Sequence, residues 1–327
     1  MRSDQFPTSS TALPTRRWSG RKLLIGVMAV FLVIILAVMA RLLFAMLDTK
    51  LIWVFYLGAS IGLLQNHIKR SRALWRRLNV LSDWLALERF NQSYSHPDLN
   101  GVTVIIPAYN EAATLRQTLN AIPSTVCGLP VHTLVISDGS DDDTPIVATQ
   151  RQAYVCHSPL QRGQGAALRL GYHLALRHRS RYVVTLDADG QYIPSEMEIL
   201  LRPLLDGEAD FTQGSRRLGT YELESRLRIM GMFLFGWVIR LLTRHSITDS
   251  SNGFRAIRTD ILDHLTLLED QYHASELLIG SILKGYRVVE RPITMLRRQA
   301  GTSKKGRSLV YGWHYARVIV GTWLRGG

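Results

Sequence analysis

A chain of 327 residues that is 46% hydrophobic and 20% charged carries enough apolar material for a large folded core, which excludes a disordered protein. Its two cysteines, Cys127 and Cys156, stand in apolar or mixed runs without metal-ligand spacing, which argues against a disulfide scaffold or a thiolate metal site and fits reduced core thiols. The net charge of +13 sits at the ends: residues 1–95 hold 13 Lys/Arg against 4 Asp/Glu, residues 291–327 hold 8 against none, and the middle holds 18 against 22, so no nucleic-acid partner is expected and basic flanks beside apolar runs point to an anionic membrane surface.

Residues 1–22 form a basic tail. Residues 23–40 are an unbroken run of apolar and small side chains closed by Arg41, and residues 42–47 continue it. That is enough for a span of about 20 residues. Residues 51–64 are a second run, extendable to Ile68 with Gln65, Asn66 and His67 among the headgroups and Trp53 and Tyr56 as interfacial anchors. The long stretch before the first run, with no A-x-A-like site after it, speaks against a cleaved signal peptide. The reading is a transmembrane helical hairpin over residues 23–68, which also offers a surface for homo-oligomers. Arg16, Arg17, Arg21 and Lys22 precede it, and Lys69, Arg70, Arg72, Arg76 and Arg77 follow. The connecting loop has only Arg41 and Lys50, offset by Asp48. An integral membrane protein with both termini and the downstream domain in the cytoplasm follows from that asymmetry.

Residues 69–90 are predicted as a basic amphipathic helix, with Leu74, Trp75, Leu78, Leu81, Trp84 and Leu85 at helical spacing, either lying on the membrane or packing as an ordinary helix. Residues 91–100 read as a linker. From 101 to 305 strand and helix patterns alternate: strands over 102–107, 132–137, 153–157, 182–187 and 209–213, and helices over 111–122, after Asp143, and over 164–178. Alternation of this kind implies a Rossmann-like α/β domain with a mostly parallel sheet, whose ligands bind at the carboxyl ends of the strands.

The polar motifs fall at those ends. Asp187 and Asp189 close an apolar β-branched run, and residues i and i+2 of a strand point the same way. Two carboxylates so placed suit a hard divalent cation, Mg²⁺ or Mn²⁺, bridging phosphates, and Gln191 can add a carbonyl oxygen. Standing alone, two aspartates in a turn would equally be a solvated loop.

Two further stretches agree. Val104, Ile105, Ile106, Pro107, Ala108, Tyr109, Asn110 and Glu111 open the domain, and residues 135–144 give Val-Ile-Ser-Asp-Gly-Ser-Asp-Asp-Asp-Thr. Together with Asp-Ala-Asp-Gly-Gln-Tyr-Ile-Pro from Asp187, in this order and spacing, they resemble family 2 glycosyltransferases of the GT-A fold, and among these the dolichol- or polyprenyl-phosphate hexose synthases. The resemblance covers about residues 100–305. It implies that Asp138 bonds the nucleobase, that Pro107, Tyr109 and Glu111 line the nucleoside pocket, and that Asp187, Ala188, Asp189 and Gln191 hold the cation and the donor diphosphate. Arg162, Gly163, Gln164, Gly165 and Ala166 resemble the family's glycine-rich loop, except that Gln164 stands where lysine is usual; Arg162 is then the candidate for the displaced charge. A plain structural turn would have the same glycines.

Gly214, Ser215 and Arg216 resemble the family's G-S-R, and residues 249–255 its D-x-x-S-G-F-R with Asn252 in place of serine. Arg216 and Arg255 become candidates for gripping the lipid phosphate, or are salt-bridge arginines. Asp189, Arg216 and Glu276 are the catalytic candidates by this likeness, Glu276 as an acid near the acceptor or else a helix-surface glutamate. Arg297, Ser303 and Lys304 belong to a stretch like the family's R-x-x-G-x-S-K loop, which would hold the lipid phosphate, a solvated charge run being the other reading. Residues 229–242 are very apolar but too short to span, and suit an interfacial or a buried helix. Residues 306–327 suit a membrane-surface amphipathic segment.

The expectation is a membrane-bound, inverting, metal-dependent hexosyltransferase moving sugar from UDP-glucose or GDP-mannose to polyprenyl or dolichyl phosphate. An acceptor phosphate is already an anion, so no strong base is needed; His157 and His273 are the nearest histidines and are read as structural. A family 2 enzyme with a glycan or other lipid acceptor, and a non-catalytic membrane scaffold, are the alternatives.

Overall fold

A computed structural model describes residues 20–43, 49–221, 226–297 and 308–326. They divide into two units, residues 1–75 and 76–327. The first holds helix α1 (Gly20–Leu43) and the start of α2 (Thr49–Ser93). The side chains described on α1 are those of residues 27–41, and apolar ones on every side of it are exposed, Met28 by 64%, Phe31 by 63% and Leu36 by 57%. The turn of the expected hairpin, residues 44–48, lies outside the described residues, as does the tail over 1–19. Among the described residues no helix is long and apolar enough to cross a membrane. The amphipathic helix expected separately over 69–90 is the second half of α2, which runs unbroken because it contains no proline, the next one being Pro97, and its only glycines are Gly58 and Gly62. Its last turns bury Ala86 and Phe90 in the core of the second unit.

That unit begins with strand β1 (Val102–Ala108) and helix α3 (Ala112–Ala121), followed by a two-residue strand β2 (Thr125–Val126) and the long β3 (Leu129–Asp138). Helix α4 (Thr144–Gln150), β4 (Tyr154–Ser158), α5 (Gln164–Arg177) and β5 (Tyr182–Thr185) complete the repeated strand-helix pattern. Then come α6 (Met197–Leu205), β6 (Phe211–Tyr221), α7 (Arg226–Thr243), β7 (Arg255–Arg258), α8 (His273–Leu283), β8 (Val288–Met295) and α9 (Ser308–Arg325).

Strands β3, β1 and β5 are parallel neighbours, with Val102 opposite both Val131 and Tyr182. The carboxyl ends of β1 and β3 are level, Ala108 beside Ser137, while β5 ends at Thr185 opposite Ile105, and residues 187–191 follow it toward that edge. Alternate residues face two cores. Ile105, Leu134, Ile136 and Val183 meet α5 and α8 on one face; Val104, Ile106, Val135 and Val184 meet α3 and α6 on the other. Coverage of both faces explains why β1 is β-branched almost throughout. Gly171 lets α5 settle on the sheet, since a Cβ there would stand 2.5 Å from a methyl of Ile105.

The sheet is mixed rather than mostly parallel. β7 inserts between β5 and β6 antiparallel to both, and β8 then pairs parallel with β6. The reason is where β7 starts: Gly253 lies against Asp187 at the carboxyl ends, so the strand can only run back through the sheet.

Candidate active site

Asp187 is held between two elements distant in sequence. Gln164, the first residue of α5, donates its side-chain amide to Asp187 Oδ1 at 2.7 Å. On another side the backbone of Gly253 closes in: a Cβ there would be 2.9 Å from Oδ1 and 3.0 Å from Oδ2. Gly253 is pinned in turn, its N–H donating to the Tyr192 hydroxyl at 3.1 Å and its carbonyl accepting from the Thr185 hydroxyl at 2.5 Å. Asp189 is 6% exposed, and its Oδ1 accepts the Gln191 N–H at 3.2 Å across the turn that Gly190 makes at φ 72°. The Ala188 carbonyl accepts the Thr118 hydroxyl at 3.2 Å, which fixes the turn to α3. Gln191 donates its amide to the Leu296 carbonyl at 3.0 Å and accepts the Leu296 N–H at 2.8 Å, so the end of β8 is clipped to this segment.

Two carboxylates and a neighbouring amide are an all-oxygen donor set. Among the described residues no group of three His, Cys, Asp or Glu could hold a metal ion by itself. Such a set fits a hard divalent cation that takes its remaining oxygens from a bound diphosphate, as Mg²⁺ sites at phosphates do.

The turns after β1 and β3 are laced together. Asn110, in the left-handed region at φ 52°, donates its side-chain amide to Asp141 Oδ1 at 2.5 Å and accepts the Asp141 N–H at 3.1 Å. Asp142 accepts from the Ala112 and Thr144 N–H groups, and the Glu111 N–H donates to the Thr144 hydroxyl at 2.9 Å. Pro107, Tyr109 and Glu111 are half-buried along this wall. Asp138 accepts the Arg162 N–H at 3.0 Å and the Gly163 N–H at 2.6 Å, so a nucleobase would share its carboxylate with the glycine-rich loop. Burial pushes its pKa up, against the pull of those two N–H groups. The guanidinium of Arg162, expected to replace the usual lysine at the diphosphate, is instead committed to Asp83 at 2.5 Å on α2 and to Asp270 at 3.5 Å. The side chain that reaches the aspartate motif from this loop is Gln164.

Arg216 on β6 forms a buried fork with Asp249, Nε to Oδ2 and Nη2 to Oδ1 both at 2.6 Å, while Nη1 faces Met295 Sδ at 3.7 Å. Burial alone would raise the Asp249 pKa, but the Arg216 pair outweighs it and holds the carboxyl below the usual range. Arg255 is sealed in the core at 2% exposure, its Nε donating to the Asn252 carbonyl at 2.8 Å and its Nη2 without a partner among the described residues. Burial pushes its pKa down. A grip on an outside phosphate is not open to Arg255 in this arrangement. Glu276, expected near an acceptor or on a helix surface, is not at a surface: it is fully buried and accepts the Leu268 and Glu269 N–H groups at 2.9 Å each and Arg325 Nη2 at 2.7 Å. Arg297 is exposed, one residue beyond the Leu296 clip. Ser303 and Lys304 lie outside the described residues.

His157 Nδ1 sits 3.0 Å from the Ser137 hydroxyl, and burial lowers its pKa; His273 is buried with Nε2 3.3 Å from the Tyr172 hydroxyl. The approach of Gly253 to Asp187 and the loop over residues 268–272 escaped sequence reasoning. The departure at Gln164 was visible, but its partner was not.

Residues 103–266 match the family described as glycosyl transferase family 2. The polyprenol monophosphomannose synthase of Mycolicibacterium smegmatis is 32% identical over 217 residues, which cover 63% of this chain and 81% of that protein. The dolichyl-phosphate hexose transferase of Haloferax volcanii is 30% identical over 211 residues, covering 64% and 88%. A crystal structure of the glucosyl-3-phosphoglycerate synthase of Mycobacterium tuberculosis in complex with Mn²⁺, UDP and phosphoglyceric acid aligns with a TM-score of 0.55 at 21% identity, over 69% of this chain and 78% of that one, a likeness of fold.

Proposed function

The chain belongs to glycosyl transferase family 2 and has a GT-A-like α/β fold, and on that premise we propose that it moves a hexose from a nucleotide sugar, UDP-glucose or GDP-mannose, to polyprenyl or dolichyl phosphate at the cytoplasmic face of a membrane, with inversion. One observation carries the reading: residues 187–191 follow β5 toward the carboxyl ends of β1 and β3, between the glycine-rich loop and Gly253. The names of the relatives, both of them transferases or synthases of polyprenyl-type phosphates, support the acceptor class.

Asp187, Asp189 and Gln191 would hold Mg²⁺ or Mn²⁺, which when bound offsets the charge that builds on the departing nucleoside diphosphate. The chain's own residues position the rest. Pro107, Tyr109 and Glu111 wall the nucleoside side, and Asp138 holds the loop at Gly163, whose lack of a side chain admits the Asp270 carbonyl, 2.7 Å from where a Cβ would stand. Arg297 opens a basic stretch through Lys304 for the lipid phosphate, and Arg216 keeps Nη1 outside the Asp249 fork, where a phosphate oxygen would displace the weak Met295 contact. The acceptor is already ionised, so the work is orientation rather than proton removal. That agrees with His157 and His273 being engaged with Ser137 and Tyr172.

The hairpin over residues 23–68 would anchor the enzyme, with α7 and α9 lying on the bilayer. Support comes from exposed apolar side chains: Leu234 (57%), Trp237 (62%) and Leu241 (65%) on α7, and Trp313 (72%) and Leu324 (71%) on α9.

The test is a transfer assay on membranes containing the protein, with polyprenyl phosphate, Mn²⁺ or Mg²⁺, and radiolabelled UDP-glucose, UDP-N-acetylglucosamine or GDP-mannose offered separately. Label in the organic phase that requires both cation and lipid phosphate is the expected result. Its absence with every donor, while nucleotide still binds, would turn the reading to a glycan or another lipid as acceptor.

A further inference from the structure

Gly163, at φ 117°, turns the chain into α5 without a side-chain cap, and Gln164 is the first helical residue. Its backbone is fixed on both sides. The Gly163 N–H donates to Asp138 at 2.6 Å and the Gly165 N–H to the Asp270 carbonyl at 2.9 Å. Position 165 is packed so tightly on the Glu269 carbonyl that no side chain fits. From this anchored start the Gln164 amide reaches Asp187 Oδ1 at 2.7 Å, and Gly253 closes on both oxygens of the same carboxylate.

We propose that Gln164 is the positioning residue of Asp187: a neutral donor that sets the orientation of the carboxylate and brings no positive charge of its own to the place of a divalent cation. The inference rests on the reading of Asp187 as a cation ligand. The type of donor decides the matter. An amide bonds one lone pair of the carboxylate and leaves the formal charge unchanged. An ammonium at the same place would pair with that charge and compete with the cation for the same oxygen. The neighbouring cation of the loop, Arg162, has its charge taken by Asp83 and Asp270. Groups that orient metal ligands commonly matter 10- to 100-fold in metal affinity, by roughly that range where they are removed.

Mn²⁺ binding to the full-length protein in detergent, followed by the electron paramagnetic resonance signal of free Mn²⁺ with UDP and separately with GDP, tests this. Wild type is compared with Gln164→Leu, Gln164→Lys and Asp187→Ala. Gln164→Leu should weaken Mn²⁺ binding by about 10-fold or more, and Gln164→Lys should weaken it further. Nucleotide binding in EDTA and the unfolding midpoint should stay as in wild type for Gln164→Leu, which a merely structural role for the side chain would not give. If Asp187→Ala abolishes Mn²⁺ binding while both Gln164 variants bind like wild type, the inference is overturned and the metal site stands. If wild type binds no Mn²⁺ with either nucleotide, or Asp187→Ala binds it as well as wild type, the metal reading itself falls and takes the inference with it.

Discussion

Asp249 is fully buried and Arg216 only 9% exposed, so each is costly without the other. Removing one partner of such a pair leaves a buried charge uncompensated, so Arg216→Met should cost about 3–5 kcal/mol of stability, measured by urea unfolding. The pH dependence has a definite sign. The Asp249 carboxyl binds its proton less readily in the folded protein than in the unfolded chain. Its contribution is therefore present in full above the ordinary carboxylate range and is lost as pH falls through the depressed value. The stability gap between wild type and Asp249→Asn should be widest near neutrality and shrink on acidification; a gap that grows would contradict the assignment. For the chemistry, Asp189→Ala should abolish transfer while leaving the unfolding midpoint close to wild type. The pair Asp187 and Asp189 was legible because it is local, two acids at the end of an apolar run. Its neighbours were not. Gln164 lies 23 residues before Asp187 and meets it only once α5 packs on β1 and β3 and β5 pairs with β1. Gly253 meets it because β7 runs backwards, and a single glycine in a loop announces no such approach.

At the level of elements, the loop over residues 268–272 is clamped by Glu276, whose carboxylate also takes Arg325 from the end of α9. Arg325→Ala should lower stability by about 1–2 kcal/mol, toward the low end of a charged hydrogen bond because the arginine is a third exposed. It should also make the loop more sensitive to protease; unchanged cleavage between residues 266 and 272 would mean that the clamp does not hold it. Elements up to β5 were readable because each strand is an apolar run bounded by turn residues, with a helical pattern following. β7 and β8 were not. Arg-Ala-Ile-Arg offers two apolar residues in four, and β8 carries Glu290, Arg291 and Pro292 in its middle. Strands of this composition are stabilised by sheet neighbours rather than by their own pattern, and a reading from local sequence misses them. The mixed order of the sheet followed from that omission.

Over the whole molecule, charge and apolar exposure tell one story. The net positive charge lies in the flanks, and α7 presents Trp237 and Leu241 outward while it buries Ile239. Replacing both exposed residues by serine should reduce binding of the protein to anionic vesicles several-fold, and high salt should reduce it further, as expected when apolar burial and Lys/Arg attraction act together. Vesicle binding unchanged by the double substitution would remove α7 from the membrane contact. One structural feature joins the two ends of this picture. The segment over residues 268–272 gives Asp270 to Arg162, Arg169 and the Gly165 N–H on one side, and Glu269 to Arg317 and Arg325 of α9 on the other. The glycine-rich loop and the C-terminal helix thus share a single hinge of five residues. Thermodynamic linkage makes such sharing reciprocal. Whatever factor a seated α9 adds to nucleotide affinity, a bound nucleotide must return to the seating of α9.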